Sequence, residues 1–239
     1  MNAIAIEATS ASVAGQAASA QSFFSKQEDD LALVSCFAAR GIRLPYPVSY
    51  RDLEADTRWG CRFFSSVGIG AGDTVAVSVA CSELGHFWPY ECAIERLDAC
   101  VAMAENIGFD ARRTEMFLRR FQARAAFGVG EHVLNGLEMA GLPLHKSFAS
   151  TPLLFARDGA ADRLKQAGLD PWRMVTLGPL FAFVSPQGKV HYDQDEWLLE
   201  SIDGEVHVTA RKPRAQPLFR LPIGIKGQAP TDGHDWRFA

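Results

Sequence analysis

The sequence predicts an α/β fold, with a parallel sheet flanked by helices followed by a small antiparallel β-rich part. Three observations carry this. Strand-like apolar runs alternate with helix-length stretches from residue 48 to residue 167. The run TVAVSVA from Thr74 is apolar on both faces, as a strand buried under helices on both sides must be. From Val175 the pattern breaks into short β-like runs separated by turn residues, and Asp203-Gly204 is the strongest hairpin signal among them.

Taken in order, residues 1–22 are rich in Ala and Ser, and the first basic residue is Lys26. Neither a secretory signal nor an arginine-bearing presequence fits, so this stretch is expected to be a disordered leader or a loosely docked helix. Phe23, Phe24, Leu31, Leu33 and Val34 then suit a first packed helix or strand. In residues 48–103, Leu53, Thr57, Gly60, Phe64 and Val67 recur at helical spacing while Arg51, Glu54, Arg58 and Arg62 point elsewhere. Gly68 stops that helix, and Ala71-Gly72-Asp73 turns the chain into TVAVSVA. A second helix and a strand at 99–103 follow.

Asp110 is the expected N-cap of a helix over 110–121. A strand at 125–129, a helix at 131–140 ended by Gly141-Leu142-Pro143, a strand at 152–156 and a helix at 158–167 closed by Gly168 continue the alternation. Strands alternating with such helices imply right-handed βαβ units. The runs MVTLGPLFAFVS, KVHYD, WLLESI, EVHVTA and LFRLP complete the chain, with a turn expected at Lys212-Pro213. The predicted organisation is a leader at 1–22, an α/β core at 23–173, a β-rich subdomain at 174–227 and a loose tail at 228–239.

Net charge is −4, so no overall basic field invites nucleic acid or an anionic membrane. The basic clusters Arg112-Arg113, Arg119-Arg120 and Arg211-Lys212-Pro213-Arg214 lack interleaved aromatics and read as a solvated helix face and a turn. The cysteines, Cys36, Cys61, Cys81, Cys92 and Cys100, form no C-x-x-C pair, and a reducing cytoplasm is expected. No run approaches the roughly 18–20 apolar residues that span a bilayer.

The cluster from Gly68 to Asp73 is not a dinucleotide cradle, because its glycines follow a helix and open a strand, the reverse of what a pyrophosphate site needs. That excludes a generic nicotinamide dehydrogenase. No metal-ligand spacing occurs among the histidines, and Asp193-Gln194-Asp195-Glu196 reads as a solvated turn, so no metal is expected. His86, with Phe87, Trp88 and Tyr90, falls at the mouth of the helix after a buried strand, where parallel sheets bind ligands. These aromatics either pack on the sheet or line a pocket for a hydrophobic ligand.

Residues 48–77 and 91–106, with the segment from Gly188 to Gly227, resemble phenylacetate–CoA ligases and the coenzyme F390 synthetases, a branch of the adenylate-forming (AMP-binding) enzymes. Gly188, His191, Asp195, Glu200, Gly204, Glu205, Thr209, Pro217 and Arg220 fit the family's C-terminal pattern in order. The resemblance implies the N-terminal core of that fold, and it covers most of residues 45–227. Members join a carboxylic acid to AMP with ATP and magnesium, then pass the acyl group to coenzyme A.

By that resemblance a phosphate loop of the form S-S-G-T-T-G-x-P is expected before the first helix, and SCFAARGIRLP, with Arg40 and Gly41, stands in its place. A Tyr-Gly adenine motif followed by a magnesium-binding Glu is expected where Gly178-Pro179-Leu180-Phe181 stands. The ribose-binding Asp is replaced, since Ile225 follows Gly224. The chain stops where the mobile C-terminal domain with its lysine is expected. Phosphate chemistry rests on positioning and charge stabilisation, so the expectation is a truncated, degenerate relative without its own adenylation.

The acyl side is expected to persist at His86, Phe87 and Trp88. Arg40, Gly41, Gly178, Arg220 and Gly224 are expected as vestiges of the nucleotide side, with Arg220 serving as a salt-bridge partner. The expected role is a non-catalytic acyl- or thioester-binding or accessory protein in a biosynthetic pathway. It needs no cofactor, and its partners are a small acyl or aryl acid, an acyl-activating enzyme, a carrier protein or a second copy. The alternative is an active ligase or ATP-independent acyl-transfer enzyme with a rebuilt site. A ligase would use ATP, magnesium and CoA, with Arg40 and Arg43 meeting an anion.

Overall fold

The computed structural model describes Gly15, residues 30–231 and residues 235–239. The expected leader and the pair Phe23-Phe24 lie outside these, Gly15 excepted. The chain divides into two compact units. One takes its described residues up to Ala55 together with Thr176–Phe181 and Tyr192–Ala239; the other takes Asp56–Val175 and Ala182–His191.

The first unit opens with a hairpin of β1 (Leu31–Ala39) and β2 (Ile42–Ser49), paired from Ala39↔Ile42 back to Leu31↔Ser49. Two residues close it, Arg40 and Gly41, both at positive φ (48° and 76°). Such a turn matches the twist of the strands it joins. One face carries the buried residues Phe37, Ala39, Leu44, Tyr46 and Val48, with Phe37 edge-on to Tyr46 at 5.5 Å.

Ser49 and Asp52 then cap helix α1 (Tyr50–Ser66): Ser49 Oγ accepts the Asp52 N–H and Asp52 Oδ2 accepts the Ser49 N–H, both at 3.1 Å. The unit's antiparallel sheet runs in the order β10 (Trp197–Ile202), β11 (Glu205–Ala210), β12 (Leu221–Gln228) and β13 (Arg237–Phe238). Asp203-Gly204 makes the expected tight turn between β10 and β11.

Three expectations fail in this unit. Lys212-Pro213 does not make a tight hairpin, because the chain from β11 to β12 spends residues 211–220 tucking Arg214 (5% exposed) beneath the surface. Its guanidinium meets Glu196 at 3.4 Å and lies 4.3 Å over the Trp197 ring, while Lys212 reaches Glu196 at 2.8 Å. The acidic turn ahead of β10 is therefore not solvated at Asp193 and Glu196, which are both buried. The last residues are not a loose tail either. β13 pairs with β12, and Trp236 stacks on Phe238 at 5.8 Å with both rings buried.

The second unit is built on a seven-stranded sheet. Its order is β4 (Cys100–Glu105), β3 (Thr74–Val79), β5 (Ala125–Val129), β6 (Leu153–Arg157), β7 (Trp172–Leu177), β8 (Leu180–Val184) and β9 (Val190–His191). The strands from β4 to β7 pair in parallel, and β9 runs antiparallel to β8. The parallel sheet and the antiparallel β-rich part are those the sequence predicts.

Strand alternation sends large and small residues to opposite faces. Phe127 and Phe155 point to the face covered by α1 and α2 (Leu84–Arg96), where they meet Phe64 and Phe87. Ala76, Ala126, Leu154 and Ala156 face α3 (Ala111–Arg120), α4 (Glu131–Met139), the four-residue α5 (Leu144–Ser147) and α6 (Ala160–Gln166). A two-faced core of this kind explains why TVAVSVA shows no polar alternation.

The glycine cluster behaves as a turn: the Gly70 N–H donates to Asp73 Oδ2 at 2.9 Å, and the chain leads into β3. Asp110 stands at the N-cap of α3 as expected, yet its side chain does not cap the helix. It accepts instead the N–H of Glu105 at 2.8 Å and pairs with Arg113 at 3.1 Å, tying the end of β4 to the helix start.

Candidate functional site

The β1–β2 turn in the first unit gathers most of the positions singled out on the nucleotide side. Arg40 donates through Nε to Glu205 Oε1 at 2.9 Å and through Nη2 to Oε2 at 2.6 Å. The Gly224 N–H donates to Glu205 Oε1 at 2.8 Å, and the Arg40 N–H to Ile223 O at 3.3 Å. Gly224, within β12, holds φ at +82°, and a Cβ there would stand 3.0 Å from Arg40 Cα, so both the backbone conformation and the close approach require glycine. A Cβ on Gly178 would stand 3.3 Å from Ile223 and 3.6 Å from Phe37. Gly41 forms the open tip beside them.

Glu205 is the centre of this cluster. The Arg40 hydrogen bond, opposed by burial and helped by the Gly224 N–H, pulls its carboxyl down to about 2, and the same bond pushes Arg40 up. The sequence placed Glu205 only in a family pattern. Nothing local marks it as the partner of Arg40, because 165 positions separate them.

Arg220 stands apart from this cluster. It pairs with Glu200 through two hydrogen bonds of 3.1 and 3.0 Å, and its N–H donates to Thr209 Oγ1 at 2.9 Å.

In the second unit, the acyl-side positions sit at the first turns of α2, beside the carboxyl ends of β3, β5 and β6. His86 and Trp88 are half-buried. Phe87 is fully buried, 5.5 Å from the Phe127 ring, with the Arg157 guanidinium 4.9 Å over its own ring. Phe87 thus packs as a core residue.

Arg157, the last residue of β6, is the organising group here. Nε donates to Gly128 O at 3.0 Å, Nη2 to Ser78 O at 3.4 Å and to Glu83 Oε2 at 2.8 Å, and Nη1 to Glu83 Oε1. Glu83 Oε2 also accepts the Ala80 N–H at 2.9 Å. Burial works to raise the Glu83 carboxyl, but Arg157 and the Ala80 N–H outweigh it and hold it below its ordinary value. Arg157 was missed, although it ends an apolar strand at the same sheet edge that drew attention to His86.

A further cleft of about 260 Å³ opens among Asp162, Lys165, Asp170, Arg173 and Ser185. Among the described residues, no group of three His, Cys, Asp or Glu side chains is placed to hold a metal, and no helix is long and apolar enough to cross a membrane.

No protein-family sequence model matches the chain, and no curated protein does. Solved structures match by fold. A 2-hydroxyisobutyryl-CoA ligase in an open conformation, bound to 2-HIB-AMP and CoA, superposes with a TM-score of 0.69 at 19% identity, over 89% of this chain and 56% of the ligase. The Bacillus subtilis o-succinylbenzoate CoA synthetase gives 0.60 at 12% identity, over 89% and 50%. The amide bond synthetase McbA from Marinactinospora thermotolerans gives 0.58 at 14%, over 89% and 49%. The chain spans about half the length of these structures. It shares its fold with the matching part of these ligases and synthetases.

Proposed function

We propose that this chain is a degenerate relative of the adenylate-forming ligases, nearest in pattern to the phenylacetate–CoA ligase branch, that binds an acyl or aryl acid or thioester without activating it. It would serve beside an acyl-activating enzyme or a carrier protein in a biosynthetic pathway. The observation that carries this reading is the closed Arg40–Glu205–Gly224 cluster. Where the resemblance places a phosphate loop there is a two-residue hairpin turn whose guanidinium is already engaged by a carboxylate of the same chain. A phosphate arriving there would meet the Glu205 charge and would have to displace it.

The alternative is a working ligase or acyl-transfer enzyme with a rebuilt site. One observation favours it: the Arg40 side chain is 53% exposed, so it is within reach of an anion.

The test is calorimetric titration with ATP–magnesium, then CoA, then a panel of acyl and aryl acids and thioesters. Silence toward ATP with saturable binding of an acid or thioester is the expected result. Saturable ATP binding accompanied by pyrophosphate release would overturn the proposal in favour of the alternative.

A further inference from the structure

The Arg157 environment in the second unit has the parts of a carboxylate receptor, and the chain fills it from within. The guanidinium is oriented by three contacts that do not involve Glu83: the carbonyls of Gly128 and Ser78 and the face of Phe87. Two of its N–H groups are left to point at one carboxylate, and the Ala80 N–H joins them. A planar fork plus a backbone N–H, at the carboxyl end of parallel strands, is an arrangement that binds organic acids.

The group occupying it is held differently. Glu83 belongs to the three-residue turn Cys81–Glu83, none of whose residues is buried. Beyond Arg157, its side chain accepts the Ala80 N–H and interacts electrostatically with His86, both within or next to its own turn. The receptor is fixed by the sheet and the aromatic core, whereas its occupant rides on a turn with no apolar anchor. A charge pair of which one member is fixed in the sheet and the other stands on a turn without buried residues, both side chains reached by solvent, is a natural place for exchange. His86 and Trp88, both half-buried, follow in the first turns of α2.

We propose that Arg157 receives the carboxylate of a small organic acid, and that Glu83 is an internal competitor which the ligand displaces. This rests on the acid-binding reading above and sharpens it, since it assigns preference to free acids over neutral isosteres and names the group that limits affinity.

The experiment compares wild type with Glu83→Gln and Glu83→Asp, using phenylacetate as the probe and phenylacetamide as the neutral control. Binding is followed by calorimetry and by tryptophan fluorescence, and folding of each variant is checked by circular dichroism. Gln removes the competing charge, and Asp withdraws it by one methylene while keeping the turn's acidity. Phenylacetate should bind Glu83→Gln about tenfold more tightly than wild type, with Glu83→Asp between, while the amide gains nothing. Adding Arg157→Lys to Glu83→Gln should cancel the gain, because an ammonium cannot reproduce the fork.

Equal phenylacetate affinity in all three proteins, no binding by any of them, or equal gains for acid and amide would overturn the proposal. Thioester binding with a flat Glu83 series would leave the broader function standing. Saturable ATP binding with pyrophosphate release would remove the broader function, and the Glu83 series would still decide this proposal by the same outcomes.

Discussion

Arg40 and Glu205 lie 165 positions apart and make two hydrogen bonds, of 2.9 and 2.6 Å, between the tip of one hairpin and the first residue of a strand in the second sheet of the same unit. The pair does more than join two strands. With the Gly224 N–H it makes Glu205 accept three bonds.

A pH dependence follows from that pair. The Glu205 carboxyl, ordinarily at 4.5, is held at about 2 in the folded chain. A group depressed in this way adds its stability in full above the ordinary value and loses it as pH falls toward the folded value. Wild type should therefore lose thermal stability between about pH 5 and about pH 2, and Glu205→Gln should lose less over that window while starting lower. Because Arg40 is largely solvated, the difference should be modest and should shrink further in high salt. Thermal melts of both proteins across the acid range decide it, and parallel curves would show that the pair contributes nothing.

Asp52 should be far less tolerant of change. It is 2% exposed and its Oδ2 accepts two N–H groups, from Ser49 at 3.1 Å and from Ala215 at 3.0 Å. Asp52→Ala strands both donors and removes the helix cap, at a cost of about 2–3 kcal/mol. Asp52→Asn keeps an acceptor oxygen and should lose about half as much. Urea midpoints with unchanged slopes would report this directly, and an alanine variant as stable as wild type would refute it.

The aromatic core gives a third expectation. Phe64 is fully buried and meets Phe127 at 5.3 Å, Tyr90 at 6.0 Å and Phe155 at 6.2 Å. Phe64→Ala should cost about 3–5 kcal/mol, a large share of what holds a domain together, whereas Phe64→Leu should cost about 1–2. Calorimetric unfolding separates the two, and near-equal losses would mean that the surrounding rings collapse into the cavity.

How much of this was legible depended on the range of the signal. The alternation from β3 to α6 was readable because each element carries its own period, with Gly68 and Gly168 marking its ends locally, and Asp203-Gly204 marked the β10–β11 hairpin in the same way. The β1–β2 hairpin was hidden by a resemblance that led one to look for a phosphate loop, though Arg40-Gly41 is itself a turn signal. Trp236 and Phe238 read as a tail in the sequence because a two-residue strand has no period to display. The sites were harder still. Single positions such as Arg40 and Gly224 could be picked out, but Glu205 and Arg157 act through partners 165 and 74 residues away, and no spacing rule encodes a contact set by the whole fold.

The helix pair α1–α2 offers a sharper test of packing against propensity. Gly60 sits mid-helix, where alanine is ordinarily favoured by about 1 kcal/mol. Here a Cβ would stand 2.8 Å from Ala93 Cβ and 3.5 Å from the Tyr90 ring, so the helices must part to admit it. Overpacking of that kind costs about 1–3 kcal/mol, and α2 cannot easily yield because Phe87, Tyr90 and Ile94 anchor it in the core. The clash should win, leaving Gly60→Ala destabilised by about 1 kcal/mol or more despite its better propensity. The reciprocal exchange, Gly60→Ala with Ala93→Gly, moves the methyl to the other helix and restores the spacing. It should therefore recover stability beyond the sum of the single changes, by about 1–2 kcal/mol in a double-mutant cycle. Additive losses would show that the glycine is there for some reason other than the approach of the two helices.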